Sequence, residues 1–584
     1  MRFDSSIVKD ILLDLPGVSN VAIRSDFNYN HITYACCVNC DLLITGTPIA
    51  VVVCVPSNWQ RTLFHVYIRE SEKLPFMPHI EENGKICLFD LEGVIIDVDF
   101  EGLLTQCINK AVEILSDGIS GKNHHDFVRE FTSYWSRLPK CQKMKCVIPD
   151  NPQTQVIKIY EEQDKKDNKR KDETYADYLN RHKNRRLFAA PDGDSFTFYG
   201  VTGQQQNGLY CYIKADDFIF PPDYRDELTT TYINSLLLKV PCYDLESICK
   251  KQNQFPLIVF GIKEPDETMI CIAVHLSKAS LFKTPDEVFQ LQFGESSDIY
   301  PVQVVRVDKK HLMQRIIGNS FSKEKNCLLI GAGSIGSHVC NELVKTGWER
   351  ITIVDPDYLK EENIFRHLLG IEYIDSYKVL ALDRYFKKNI PQTEIKPLSE
   401  CIQDLVEEGS VDLSDYDVII SATGDHNVNR WLNKYVHENN IGNPIVYVWN
   451  EPLDIGCHVA VIQANLPGCY ECLFCRESED FELYDATAFC ERKQAITRNF
   501  GGCAGSFIPY GSSISLKSAV LCVEWIDRVL GGRCGKNYVI SLKGEGYYFR
   551  KAGLVPSKVY YEQKTMQEIR ECLTFSRQEC VICG

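Results

Sequence analysis

The 584-residue chain lacks any uninterrupted apolar run of about 18 residues, the length that a helix needs to cross a bilayer, so no membrane span is indicated. It also lacks a basic excess. Its 64 Lys and Arg stand against 79 Asp and Glu, a formal net charge of −15. A general nucleic-acid binder needs a basic face to neutralise phosphates, so no nucleic-acid partner is expected. The opening Met1, Arg2, Phe3 and Asp4 supply neither the basic stretch nor the apolar core of a secretion signal, and a reducing cytoplasm is the expected compartment. In that setting most of the 26 cysteines are expected to be free buried thiols packing as small hydrophobes.

With 44% hydrophobic residues the chain can fill several cores, and its length fits about three or four domains. Residues 1–150 read as a small α+β domain. Apolar and polar residues alternate in runs such as Ile49 to Val55 and Thr62 to Ile68. A helical stretch from Glu101 to Leu115 follows, with Leu103, Leu104, Cys107, Ile108, Ala111, Val112, Ile114 and Leu115 on its apolar positions. The charge-dense stretch from Glu161 to Arg186 reads as a solvated linker or exposed helix, with a docking surface for an acidic partner as the alternative. Residues 151–310 hold plausible strands at Phe196 to Tyr199, Leu209 to Ile213, Leu257 to Gly261 and Met269 to His275, but no chemical constellation. From residue 311 to 584 an α/β pattern takes over, with no evident internal repeat.

The apolar strand Cys327 to Ile330 leads into Gly331-Ala332-Gly333-Ser334-Ile335-Gly336, and a helix is expected from Ile335 to Thr346. Gly331, Gly333 and Gly336 permit a tight turn, close approach of backbone to phosphate, and tight packing of helix on strand. Asp355, at the end of the next strand and about 20 positions on, stands where a ribose hydroxyl is held. The glycines alone leave a dinucleotide and ATP equally open. Asn363, Arg366, Lys378, Asp425 and Arg430 follow, however, and a triphosphate under cleavage needs cations on its phosphates and an acid for magnesium.

With these residues in place, Lys325 to Ile462 resembles the adenylation domain of ubiquitin-activating enzymes and of the bacterial enzymes that activate sulfur-carrier proteins. The resemblance implies that Asp355 holds the ribose, that Asn363, Arg366 and Lys378 hold phosphates, and that Asp425 holds Mg2+, with Arg315 a further candidate arginine.

Two C-x-x-C pairs, Cys469 with Cys472 and Cys580 with Cys583, suit a closed tetrahedral Zn2+ site of structural type, though free core thiols remain the alternative and Cys475 is a spare nearby. Between the pairs lies Asn499-Phe500-Gly501-Gly502-Cys503-Ala504-Gly505, followed by an apolar helix from Ser513 to Val529. In the resembled family the nucleophilic cysteine occupies such a loop, which implies Cys503, with Cys490 as the second choice and Cys522 in the core.

A further thiol lies in Pro78-His79-Ile80-Glu81-Glu82-Asn83-Gly84-Lys85-Ile86-Cys87-Leu88, similar to the active-site stretch of ubiquitin-conjugating enzymes. The usual H-P-N is absent, the histidine-to-cysteine spacing is shorter, and Asn83 is as readily a turn residue as an oxyanion donor. His79 is open between steadying the turn and transferring a proton. Cys87 alone divides evenly between a buried structural thiol and an acyl carrier; beside an activating domain the carrier is favoured.

The whole chain thus resembles the bacterial fusion enzymes of anti-phage CBASS operons, a family that joins the C-terminus of a cGAS/DncV-like nucleotidyltransferase (CD-NTase) to target molecules. That implies an N-terminal ubiquitin-conjugating-like α+β domain (1–150), a middle α/β, linker or inactive adenylation-like domain (151–310) and a C-terminal Rossmann-like adenylation domain with a zinc knot (311–584). The implied reaction activates a protein C-terminal carboxylate with ATP as an acyl-adenylate and passes the acyl group through Cys503 and then Cys87, in cis or in trans, to an amine. The donor, a CD-NTase or ubiquitin-like protein, ends in a small residue, and a homodimer is expected. A sulfur-carrier-activating adenylyltransferase, a nicotinamide oxidoreductase and a noncatalytic scaffold are the rivals.

Overall fold

The hairpin written into Cys36–Ile44 and Thr47–Val55 turns on Thr45 and Gly46, both with positive φ (46° and 86°), the backbone that a two-residue hairpin loop requires. The computed structural model describes residues 4–89, 99–162, 187–192, 203–293, 298–317, 323–390, 393–476, 482–499 and 506–584. The chain divides into two units, one of residues 1–194 and 201–307, the other of 195–200 and 308–584.

In the first unit that hairpin forms the centre of an antiparallel sheet, ordered Val18–Ile23, Cys36–Ile44, Thr47–Val55, His65–Ile68. Helix Phe100–Ser120 covers one face. It buries Leu103, Leu104, Cys107, Ile108, Ala111, Ile114 and Leu115 at the helical repeat and stops at Gly121, whose φ of 75° only glycine adopts without strain. The expected strands at Leu209, Leu257 and Met269 fall within Gly203–Lys214, Leu257–Lys263 and Met269–Leu276, which close into a barrel with Ile299–Arg306, Gln142–Cys146, Leu187–Pro191 and Gln155–Glu162. Gly261 makes room inside: a Cβ there would lie 2.0 Å from the buried Tyr210 hydroxyl. The strand expected at Phe196 and the charge-dense residues 163–186 lie outside the described residues.

The second unit is an eight-stranded sheet, ordered Glu394–Leu398, Trp348–Val354, Lys323–Ile330, Val418–Ser421, Ile445–Asn450, Gly456–Ile462, Tyr538–Lys543, Gln567–Glu571. The first five strands are parallel, and neighbouring residues feed opposite cores. Cys327 and Leu329 pack with helices Ser334–Lys345, Lys378–Asn389 and Ser512–Leu530, whereas Leu328 and Ile330 pack with His426–Glu438. Strand order reverses between Lys323–Ile330 and Val418–Ser421, and a crevice opens at such a switch point beyond the carboxyl ends of the strands.

Candidate active site

Three parallel strands bring residues expected to bind the nucleotide to that edge. Gly331 follows the first with φ 94°, and a Cβ on it would lie 2.9 Å from the Ala422 carbonyl and the Thr423 amide. At Gly336 a Cβ would lie 1.9 Å from the Gly331 carbonyl oxygen, so only glycine lets the helix start this close to the loop. Gly333, the N-cap of Ser334–Lys345, faces open space instead. Free backbone N–H groups at a helix N-terminus with room in front of them suit an anion such as a phosphate.

Asp355 ends the second strand, buried, with one oxygen accepting the Ala332 N–H at 2.7 Å and the other the Asp357 N–H at 2.8 Å. It therefore shapes the glycine loop, while each oxygen keeps a lone pair for a ribose hydroxyl. Burial raises its carboxyl above the usual range, against the pull of Lys378. Lys378 opens helix Lys378–Asn389, its ammonium 2.7 Å from Asp357 and 3.7 Å from Asp355. Asn363 accepts the backbone N–H groups of Arg366 and His367 on its own carbonyl, and Arg366 lies over the Tyr510 ring at 5.1 Å. Asp425, exposed beyond the third strand, caps helix His426–Glu438 by accepting the Asn427 N–H.

Sequence reasoning missed His367. It is buried, donates from Nε2 to the Ala332 carbonyl at 2.8 Å and accepts the Leu369 N–H on Nδ1, and burial depresses it to about 4; it is a neutral prop under the glycine loop. A histidine beside Arg366 in an otherwise charged run was the available signal. Tyr510 gave none.

In the first unit the Cys87 hairpin zips onto strand His65–Ile68: Ile86 N–H meets the Val66 carbonyl, Ile68 N–H meets the Gly84 carbonyl, and Ile80 bridges Ile86. Ile86 and Leu88 are buried and Cys87 between them is exposed, as alternation along extended chain dictates. Its N–H donates to the His79 carbonyl at 2.8 Å, and its sulfur lies 3.5 Å from Glu81 Oε1. The local bed and the negative charge of Glu81 push the thiol up to about 11.

His79 is clamped, with Nδ1 3.2 Å from Glu130, Nε2 3.1 Å from Asp126, and its N–H on the Tyr134 hydroxyl. Hydrogen bonds to Glu130 and Asp126 raise it above the usual histidine range despite burial. Both ring nitrogens are thus held by carboxylates, which fits steadying the turn rather than taking a proton. Asn83 accepts the Lys85 N–H on its side chain, as a turn residue does.

Residues 28–144, which include this hairpin, match the Prokaryotic E2 family B, and residues 313–547, which include the glycine loop, match the ThiF family. The chain is a fusion of an E2-like and an E1-like region. An ATP-dependent ubiquitin transferase-like protein, Cap2, of Pseudomonas aeruginosa is 24% identical over 480 residues, 78% of this chain and 80% of that one. Cap2 of Enterobacter hormaechei is 33% identical over 110 residues, 19% of this chain and 18% of its own. The NEDD8-activating enzyme E1 catalytic subunit of Schizosaccharomyces pombe is 28% identical over 161 residues, 27% of this chain and 35% of its own. Among solved structures, Escherichia coli MccB with AMPCPP and MccA is matched over 45% of this chain and 67% of its own, at 17% identity and a TM-score of 0.32.

In the second unit Cys469, Cys472, Cys580 and Cys583 converge, all four sulfurs within 4.8 Å of one another, with contacts of 3.5 to 4.0 Å. Zinc–sulfur bonds of about 2.3 Å in a tetrahedron put sulfurs about 3.8 Å apart, so the donor set fits. Cys475 stays outside this cluster, against Arg577.

The turn after strand Ile445–Asn450 holds both described ends of the segment that crosses towards helix Ser512–Leu530. Buried Glu451 accepts the Phe489 and Cys490 N–H groups and pairs with buried His458 at 2.8 Å; Asp454 accepts the Gly511 N–H at 2.7 Å. Gly456 and Gly544 make space for it, since a Cβ would lie 2.3 Å from the Phe489 ring and 2.1 Å from the Asp454 carbonyl oxygen. Cys503 lies outside the described residues, as does the Arg315 side chain on helix Lys309–Ile317. Cys522 is buried. Among the described residues no helix is long and apolar enough to cross a membrane.

Proposed function

We propose that this activating and conjugating-like enzyme couples ATP-dependent activation of a protein C-terminal carboxylate to a two-thiol relay ending on an amine. The observation that carries the reading is the exposed Cys87 thiol on a clamped E2-like hairpin, in the same chain as a glycine loop opening at a switch point. When bound, ATP with Mg2+ supplies a leaving group for the carboxylate. Gly331, Gly333 and Gly336 would admit its phosphates, Asp355 would take the ribose, Asn363, Arg366 and Lys378 would hold the phosphates, with Arg366 and Lys378 turning to them from Tyr510 and Asp357, and Asp425 would hold the magnesium.

Cys503 would then accept the acyl group and Cys87 would receive it, each thiol splitting one hard transfer into easier ones. Cys490 suits the first role less well. Its N–H is tied to Glu451, its sulfur to Gln494, and burial with Glu451 pushes it up to about 11.

The remaining assignments follow the same reading: a structural zinc on the four thiolates, three domains of 1–150, 151–310 and 311–584, a cytoplasmic homodimer, and a CD-NTase-like or ubiquitin-like donor in CBASS defence. The test is the intact mass of the chain after incubation with ATP, Mg2+ and a donor protein encoded beside it. An ATP-dependent, thiol-reversible adduct supports the relay. A released thiocarboxylate would favour sulfur-carrier activation instead.

A further inference from the structure

Whatever thiol hands an acyl group to Cys87, the Cys87 proton must go somewhere as its sulfur attacks. The described polar side chains around the sulfur narrow the acceptor. His79 has both ring nitrogens engaged by carboxylates, Nδ1 by Glu130 and Nε2 by Asp126. The Tyr134 hydroxyl donates to Glu130 and receives the His79 N–H, and the Asn83 side chain is taken by the Lys85 N–H. Both oxygens of Glu130 are engaged, Oε1 by His79 and Oε2 by the Tyr134 hydroxyl, and Glu81 remains, its Oε1 3.5 Å from Cys87 Sγ. The hairpin fixes it there, since its own N–H donates to the Lys85 carbonyl at 2.8 Å and Ile80 bridges Ile86. The Lys85 ammonium stands 3.9 Å away, so the carboxylate is not locked into a tight pair.

We propose that Glu81 is a catalytic residue of the second transfer, the base that takes the Cys87 thiol proton while this sulfur attacks the incoming thioester; this rests on the carrier role of Cys87 given above. In the step the Sγ–H bond breaks and the proton passes to Glu81 Oε1. Sγ bonds to the thioester carbonyl carbon, the donor's carbon–sulfur bond breaks, and the departing thiolate recovers the proton from Glu81. No electrons are gained or lost, and the carboxylate is regenerated. The thiol rests protonated because burial of its surroundings, and then the negative charges of Glu81 and Glu130, outweigh the positive charge of Lys85, while His79 and Arg137 face Glu130. Transfer to a carboxylate therefore accompanies sulfur–carbon bond formation, when the S–H becomes acidic.

An electrostatic brake and a base predict opposite results, so one pair of measurements separates them. The full chain is treated with the mercaptoethanesulfonate thioester of N-acetylglycine, and acylation at Cys87 is followed by peptide mass mapping; iodoacetamide alkylation of Cys87 is followed in parallel against pH. For Glu81→Gln the expected result is acylation slower by on the order of a hundredfold, with alkylation faster and its midpoint at lower pH because a negative neighbour has gone. Glu81→Asp, a carboxylate drawn back, is expected between the two. Acylation unchanged, or rising together with alkylation, overturns the proposal. The small thioester bypasses the nucleotide site and the first thiol, whereas failure of the carrier reading shows separately, as ATP-dependent conjugation surviving Cys87→Ala.

Discussion

Lys378 reaches Asp357 at 2.7 Å and stands 3.7 Å from Asp355, so one buried ammonium joins the end of strand Trp348–Val354 to the start of helix Lys378–Asn389. Incoming phosphates would compete with Asp357 for it. Lys378→Ala, and separately Asp425→Ala, should slow ATP–pyrophosphate exchange in the presence of the acyl donor by on the order of a hundredfold. Exchange at the wild-type rate in both variants rejects the site.

For the four thiols, elemental analysis of the purified chain should find about one zinc per chain, and such a site contributes on the order of 10 kcal/mol to folding. Cys469→Ser or Cys580→Ser should lose the metal and lower the thermal midpoint. A metal-free chain of unchanged stability removes the zinc.

His79 gives a pH dependence with a definite sign. Its folded pKa is raised, chiefly by Glu130 and then by Asp126, above an unfolded value of about 6.5. The stabilisation is therefore fully present below about pH 6.5 and is lost as pH rises through the folded value. The protection factor of the Cys87 amide, which donates to the His79 carbonyl, should fall across that window. His79→Asn should flatten the dependence. A protection factor that rises with pH contradicts the clamp.

Glu451 is buried with His458, and it alone satisfies the side-chain end of the Phe489 and Cys490 N–H bonds. Glu451→Ala leaves a buried imidazole and two amides without this partner, and a buried polar group left unsatisfied costs about 1–3 kcal/mol. Hydrogen exchange at Phe489 and Cys490 should accelerate well beyond that of the sheet. Unchanged exchange there would show that the segment is held by other contacts.

What could be read from sequence was what depends on local pattern. Helix Phe100–Ser120 followed from its repeat, the glycine loop from the strand before it, and the thiol quartet from its paired spacing. The barrel was not legible. Closure depends on which strands pair across long separations, as Gln142–Cys146 with Ile299–Arg306, and short apolar runs do not encode their partners. The clamp on His79 was hidden for the same reason, because Asp126 opens a short helix far along the chain, Glu130 lies in the turn after it, and both read as ordinary surface acids. His367 and Glu451 act through backbone amides and carbonyls, which a search for charged side chains in order does not reveal.

The relay itself is tested most directly by intact-mass and nonreducing-gel analysis of wild type, Cys503→Ala and Cys87→Ala, each with ATP, Mg2+ and the acyl donor. Activation at the glycine loop uses no cysteine, so Cys503→Ala should keep pyrophosphate exchange and form no thioester. Cys87→Ala should trap a reductant-sensitive adduct on Cys503 and make no amide. Full amide product from Cys87→Ala, or a charged Cys87 in Cys503→Ala, would contradict the account.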